Sequence, residues 1–320
     1  MPVKLFDQAS ALARAGRPKD AVALIENAAA AGDPDGNFIL AHWLLYGSDR
    51  PRDLVAALRH LELAAAKGNG AAVRVLAHLT ASGTGCPAQR EEALAMLRRA
   101  AETDPIAAGE LAMLPRLVSE AVSAKAEREL VSADPHVEIV RKLLSPEECA
   151  YLIGRGEPLL KPSLVDDPAT GRGKPDPIRT SHGAAFVPHE EDLVFQAINW
   201  RIAAVTHTDV HHAEALYVMR YTPGQEYRPH LDALAGLKNQ REWTAIAYLN
   251  DGFEGGATVF PELGLSIRPG VGDLLVFRDS LADGTPDLRM RHAGEPVTAG
   301  EKWIATRWIR HGPHDPYDRA

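Results

Sequence analysis

A short turn recurs through the first third of the chain: Ala31-Gly32-Asp33 returns as Lys67-Gly68-Asn69 after 36 residues and as Glu102-Thr103-Asp104 after 35 more. The first two copies continue with an apolar helix-like stretch, Phe38 to Tyr46 and Val73 to Thr80. Each then passes through a glycine turn, Gly47-Ser48-Asp49 or Gly83-Thr84-Gly85, into a second helix ending in paired alanines. In that second helix Leu54, Ala57, Leu58, Leu61 and Ala64 are spaced as one buried helical face. A helix pair of this kind cannot bury its face alone, so neighbouring copies share a core and the segment stacks as a solenoid. Residues 1–115 are taken as that unit.

The period changes further along. The polar stretch after Pro115 reads as a connecting helix over 116–134, closed by the turn signal Asp134-Pro135. Val137 to Val140 alternates at its start like a strand. Ser145-Pro146-Glu147-Glu148 is a capping box with proline at the first helical position, opening a helix to about Gly156. Asp166 to Pro177 has no periodicity and reads as a loop, and Glu190 to Val205 is helical in pattern. Beyond it lie short strand-like runs: Leu216–Tyr221, Trp243–Leu249, Thr258–Phe260, Leu263–Ile267, Asp273–Phe277, Glu295–Val297 and Lys302–Ile309. Turns at Asp251-Gly252, Glu254-Gly255-Gly256, Pro269-Gly270 and Ala299-Gly300 separate them, as in a sandwich or barrel. The expected fold is α+β: α-solenoid repeats, then a jelly-roll barrel (double-stranded β-helix) backed by helices over 135–315.

The bulk properties exclude several classes. The chain has 320 residues, a net charge of −8 and two cysteines, Cys86 and Cys149. Two domains fit that length. The acidic balance disfavours nucleic acid, and two thiols are too few for a disulfide framework. An acidic residue arrives before any signal-like apolar stretch, and no run is long enough to span a bilayer. A cytoplasmic protein is expected.

His230-Leu231-Asp232 puts two ligand-type side chains at i and i+2, on one face of a strand. His292, 62 residues on, supplies a third, and two histidines with one carboxylate form the facial triad that leaves open positions on Fe(II). His-x-Asp alone is weak evidence, because His207-Thr208-Asp209 repeats it. Context separates the two: His207, with His211 and His212, ends a helical stretch in a polar cluster and reads as surface. Lys302 lies ten residues after His292, across an expected hairpin at Ala299-Gly300. It either faces the interior, where a buried ammonium calls for an anion, or points to solvent beside Glu301.

The stretch Tyr217-Val218-Met219-Arg220-Tyr221-Thr222-Pro223-Gly224-Gln225-Glu226-Tyr227-Arg228-Pro229-His230-Leu231-Asp232 resembles the metal-binding stretch of the prolyl 4-hydroxylase family of Fe(II)- and 2-oxoglutarate-dependent oxygenases. Gly255 to Pro261, Pro269 to Asp273, Arg291 to Val297 and Gly300 to Trp308 resemble its later segments, and the likeness runs from about Val137 to Arg310. The first 115 residues resemble Sel1-like and tetratricopeptide repeats. The resemblance implies that His230, Asp232 and His292 hold iron, with 2-oxoglutarate and O2 as co-substrates and ascorbate as an accessory reductant. Lys302 would pair with the distal carboxylate of 2-oxoglutarate, helped by Tyr221, Thr258 and Tyr248. Tyr227, Arg241 and Trp308 would line the substrate side, with 166–177 as a covering segment. Tyr248 and Trp308 read equally well as barrel packing.

The implied reaction is hydroxylation of a C–H bond, foremost a prolyl residue of a protein or peptide, with release of succinate and CO2. Two alternatives stand beside it: a free amino acid or small metabolite as substrate, or a non-catalytic repeat scaffold that senses 2-oxoglutarate. The repeats imply a concave surface that recruits the substrate, or else a folding cap or dimerisation element.

Overall fold

The computed structural model describes residues 3–47, 51–119, 125–166, 173–174, 177–234 and 236–317. The chain divides into two compact units: Met1–Pro115 with Pro188–Leu193, and Arg116–Val187 with Val194–Ala320.

The first unit is a run of antiparallel helices: α1 (Val3–Arg14), α2 (Pro18–Ala30), α3 (Pro34–Tyr46), α4 (Leu54–Ala66), α5 (Gly70–Ser82), α6 (Arg90–Ala100) and α7 (Pro105–Met113). The sequence period has a physical cause in their caps. Asp33, Asn69 and Asp104 occupy the N-cap positions of α3, α5 and α7, and their side chains accept from Gly36 N at 2.7 Å, Ala72 N at 2.9 Å and Ile106 N at 2.9 Å. Gly47 and Gly83 end α3 and α5 in the left-handed conformation. Ile25, Leu45, Leu61, Leu79 and Leu97 are fully buried and form the shared interior. Ser48 and Asp49 of the first turn lie outside the described residues.

Pro188–Leu193, from far along the sequence, completes this unit. Leu193 packs with Ala77, Ala93, Leu97, Ala100 and Ala107. Its backbone N–H donates to Glu110 Oε1 at 2.7 Å, while Glu110 Oε2 lies 2.9 Å from His78 Nε2 and His78 Nδ1 lies 3.2 Å from the His189 carbonyl. The helix expected over 190–205 therefore begins later, at Leu193, because the residues before it are spent on this attachment.

The second unit holds β1 (Arg128–Ser132), β2 (Val137–Val140), α8 (Pro146–Gly156), β3 (Lys161–Pro162), β4 (Val165–Asp166), β5 (Gly173–Lys174), β6 (His182–Phe186), α9 (Leu193–Thr206), β7 (Leu216–Tyr221), β8 (Tyr227–His230), β9 (Arg241–Tyr248), β10 (Phe253–Gly255), β11 (Thr258–Phe260), β12 (Leu265–Ile267), β13 (Leu274–Arg278), β14 (His292–Gly294), β15 (Val297–Gly300) and β16 (Lys302–Arg310). An eight-stranded sheet runs β1-β2-β13-β9-β16-β7-β6-β3, and a four-stranded one runs β12-β11-β14-β8. Between them lies a core of Ile139, Met219, Ile246, Phe260, Leu275, Phe277 and Ile304. The capping box opens α8 as expected, and its Glu148 also accepts from Arg201 of α9 at 2.5 Å, a buried ion pair joining the two helices. Gly156 lets α8 come close to β7, since a Cβ there would lie 2.8 Å from Val218 Cγ1.

Four expectations are corrected. The polar segment 116–134 is not one helix: Arg128–Ser132 is a strand paired with β2, and its charged residues have cross-strand partners, Arg128 with Glu138 and Glu129 with Arg141. Residues 120–124 of that segment lie outside the described residues. The strand expected at 295–297 is instead the break between β14 and β15: Glu295 and Pro296 lie in neither, Pro296 having no N–H for a ladder, and only Val297 is in a strand. The glycine turn at Ala299-Gly300 is not a hairpin. β15 pairs with β10, whereas β16 pairs with β7 and β9, so the chain crosses from one sheet to the other there. A Cβ on Gly300 would lie 2.3 Å from the Gly252 carbonyl oxygen, which is why glycine stands at the crossing. Finally, His230 ends a strand of its own, β8, and Asp232 lies just beyond it. Of the loop 166–177, 167–172 and 175–176 lie outside the described residues, while β4 and β5 pair with each other.

Candidate metal centre and co-substrate pocket

Pairing of β14 with β8 sets His292 directly opposite His230. Asp232 follows two residues after His230, and one ligand atom from each of the three lies within 4.8 Å of the others. His230 Nε2 is 3.5 Å from Asp232 Oδ1, and His292 Nε2 is 3.5 Å from Asp232 Oδ2. Both rings are oriented by backbone: His230 Nδ1 lies 2.8 Å from the Arg228 carbonyl and His292 Nδ1 3.0 Å from the Met290 carbonyl. Nδ1–H donates there, which leaves each Nε2 as the ring atom that faces Asp232. His230 Nε2 is buried with no hydrogen-bond partner among the described residues.

The electrostatics favour a bound cation. Burial alone would raise the Asp232 carboxyl, yet His292, His230 and Arg241 hold it well below the usual carboxylate range. Burial, and then His230, push His292 down to about 4, so its imidazole is neutral at physiological pH. A neutral His292 imidazole, the Asp232 carboxylate and the unpartnered buried Nε2 of His230 fit a divalent iron ion.

Lys302 opens β16 opposite Tyr221 of β7. It faces the interior: 3 % exposed, it donates to the Gly256 carbonyl at 2.6 Å, and Nζ lies 5.6 Å and 5.2 Å from the ring centres of Tyr221 and Tyr248. No carboxylate among the described residues pairs with it. Burial, and then Arg268, lower its ammonium to about 7. Tyr248 hydroxyl and Thr258 Oγ1 share a hydrogen bond of 2.7 Å. The pocket therefore offers a cation and hydroxyl groups to an anion. Inward positions step by two along the strands: Lys302, Ile304, Thr306 and Trp308 on β16, Thr244, Ile246 and Tyr248 on β9. Trp308 and Thr244 face each other at one end of this register, and Lys302 stands at the other end.

At the end away from Lys302, the Tyr227 ring stacks on His230 with centroids 3.4 Å apart. The Arg179 guanidinium lies 5.1 Å from the Tyr217 ring centre, 5.0 Å from Tyr227 and 5.9 Å from Trp308. Arg241, expected on the substrate side, is buried instead. It donates to Glu214 at 2.6 and 2.8 Å and to the Asp232 carbonyl at 3.2 Å, with Trp308 over it at 4.5 Å. A buried guanidinium needs its carboxylate, and Glu214 supplies it. A cavity of about 570 Å³ beside His230 is rimmed by Leu231, Glu262, Leu288, Arg289 and Arg291. The second His-x-Asp lies elsewhere: Asp209 caps a short 3₁₀ turn by accepting from His211 N at 2.9 Å, with His207 and His211 exposed.

Sequence reasoning passed over Thr244, Asp279 and Glu214. Thr244 Oγ1 lies 2.8 Å from Asp232 Oδ2 and 2.7 Å from Asp279 Oδ2. Thr244 stands on the inward register of β9, a signal that was available; nothing in the sequence singles out Asp279 or Glu214.

A barrel with a His-Asp-His cluster and a buried lysine defines a class, and comparison with known proteins agrees. Residues 216–310 match the model of the 2OG-Fe(II) oxygenase superfamily, and 34–69 and 71–103 match the Sel1 repeat. The chain is 39% identical over 202 residues to Prolyl 4-hydroxylase 1 of Arabidopsis thaliana, a match covering 57% of this chain and 71% of that one. It is 36% identical over 210 residues to Probable prolyl 4-hydroxylase 3 of the same plant, covering 58% and 73%. The solved structure of the viral collagen prolyl hydroxylase from Paramecium Bursaria Chlorella virus-1 aligns at 31% identity with a TM-score of 0.44, covering 54% of this chain and 95% of that one. The chain is a 2-oxoglutarate-dependent oxygenase with Sel1 repeats. Within that class it belongs to the prolyl 4-hydroxylase family, which works with Fe(II), 2-oxoglutarate and O2. No helix among the described residues is long and apolar enough to cross a membrane.

Proposed function

We propose that this oxygenase hydroxylates a C–H bond of a prolyl residue in a protein or peptide, releasing succinate and CO2. The observation that carries the reading is the pairing of the His230–Asp232–His292 cluster with the buried Lys302, which has no carboxylate partner among the described residues. In this reading His230, Asp232 and His292 hold Fe(II) through both Nε2 atoms and the carboxylate. Iron with 2-oxoglutarate supplies the oxidising power that breaks the C–H bond. Lys302 binds the distal carboxylate of the co-substrate; Thr258, Tyr248 and Tyr221 add hydroxyl groups and exclude water. Tyr227 and Trp308 wall the substrate side. Arg241 acts from behind, bracing the Asp232 backbone while Glu214 neutralises it. Ascorbate would serve as the accessory reductant for that metal.

A peptide is favoured over a small metabolite by the exposed rim at the cavity beside His230, where Leu288, 72% exposed, stands next to Arg289 and Arg291. The repeat unit supplies a surface to recruit that protein. The test is succinate release, with gain of one oxygen atom by mass spectrometry, over proline peptides and free amino acids. Coupled turnover on peptides supports the reading; coupled turnover on free amino acids alone replaces it with the metabolite hydroxylase.

A further inference from the structure

Asp232, Thr244 and Asp279 meet at one buried point. The Thr244 hydroxyl lies 2.8 Å from Asp232 Oδ2 and 2.7 Å from Asp279 Oδ2, and the three residues are 5%, 0% and 1% exposed. A hydroxyl has one proton to give. If both carboxyl groups were ionised, one oxygen–oxygen contact of hydrogen-bond length would have no proton in it. One carboxyl group therefore brings a proton of its own. Asp232 is not that one: the Arg241 guanidinium donates to its backbone carbonyl at 3.2 Å, and a ligand to a cation has to be anionic.

Asp279 has the opposite setting. No cation among the described residues pairs with it, and its Oδ1 is buried without a hydrogen-bond partner. A bare carboxylate in that position is far costlier than the carbonyl oxygen of a neutral acid. Burial, and then Asp232, push the group well above its ordinary range. Its backbone is fixed on both sides, N–H donating to Glu242 O at 2.8 Å and C=O accepting from Asp287 N at 3.0 Å. The side chain is therefore aimed at Thr244 from a braced position just past β13.

We propose that Asp279 is a neutral carboxylic acid that donates to Thr244, which donates in turn to Asp232, so that a two-bond relay orients the carboxylate offered to the metal. The role of iron ligand for Asp232 rests on the oxygenase reading; the relay is tested apart from it. Asp279 is a positioning residue and touches neither metal nor substrate.

The experiment has two arms. Infrared difference spectra of metal-free protein at neutral pH compare wild type with Asp279→Asn; the relay predicts the carbonyl stretch of a buried protonated carboxylic acid in wild type and its loss in the variant. A difference confined to carboxylate bands overturns the proposal. Anaerobic Fe(II) titration then compares Asp279→Asn, which keeps a donor towards Thr244, with Asp279→Leu and Thr244→Val, which break the relay. Expected is affinity close to wild type for Asp279→Asn and about ten- to a hundred-fold weaker binding for the other two, the usual reach of groups that orient metal ligands. Equal affinity in Thr244→Val and wild type overturns it even should Asp279→Leu fail to fold. Wild type that takes up no Fe(II) would sink the oxygenase reading, while the infrared arm would still decide the relay.

Discussion

Lys302 carries the sharpest trade-off of any single residue. Its ammonium is held at about 7 when folded, against an ordinary value of 10.5. Between those two values the unfolded chain binds the extra proton, so this residue makes stability rise with pH across that window and adds no slope below it. Lys302→Met is expected to bind 2-oxoglutarate at least about ten-fold more weakly, one lost charge-assisted contact being worth that much. It is also expected to melt higher than wild type at pH 6, with the gap narrowing as pH rises above 7 and closing only near 10.5. Thermal unfolding at several pH values reads this directly; a gap that does not change with pH would contradict the burial assigned to the ammonium. His230, Asp232, His292 and Lys302 were legible through the resemblance of their flanking segments, not through spacing, since His207-Thr208-Asp209 repeats the His-x-Asp pattern and Lys302 could equally have faced solvent. The resemblance implies Arg241 on the substrate side, and the residue type alone does not show what neutralises it. Only folding shows that Glu214, 27 residues away, neutralises it.

Glycines and caps decide the accuracy of the elements. Gly256 has φ 65°, and a Cβ there would lie 3.2 Å from Lys302 Cδ and from Phe253 Cε2. Gly256→Ala combines left-handed strain of about 1–2 kcal/mol with displacement of the lysine that its own carbonyl holds. It should raise the 2-oxoglutarate concentration for half-maximal activity while leaving Fe(II) affinity unchanged; loss of metal binding would show that the damage is global. In the repeats, Asn69 caps α5 and also donates to Asp35 in α3 at 3.2 Å. Asn69→Ala should cost about 1 kcal/mol in urea unfolding, and Asn69→Ser less, since a serine caps equally well without setting a second carboxylate against Asp35. Helices and most strands were legible because their periods are local. The crossing at Gly300 was not, because a glycine turn looks the same whether the next strand pairs with the last one or leaves for another sheet. Nor was β1, whose charges are matched only across the sheet.

For the molecule as a whole, the consequential finding is that Pro188–Leu193 belongs to the helical unit, fixed through Glu110, His78 and the alanine-lined pocket around Leu193. No sequence period could announce this, since the attachment spans 83 residues between Glu110 and Leu193. Removing residues 1–115 should strip Leu193 of its burial and lower the melting temperature of the remaining oxygenase; an unchanged melting temperature would show that the segment needs no support. Above both units stands the central claim that His230, Asp232 and His292 form the iron site and Lys302 completes the co-substrate pocket. The most direct measurement adds Fe(II) and 2-oxoglutarate to metal-free protein without oxygen and follows the visible charge-transfer band of the chelate. The account predicts a band in wild type and in Asp209→Ala, and none in Asp232→Ala. A band that survives in Asp232→Ala, or none in wild type, would contradict it.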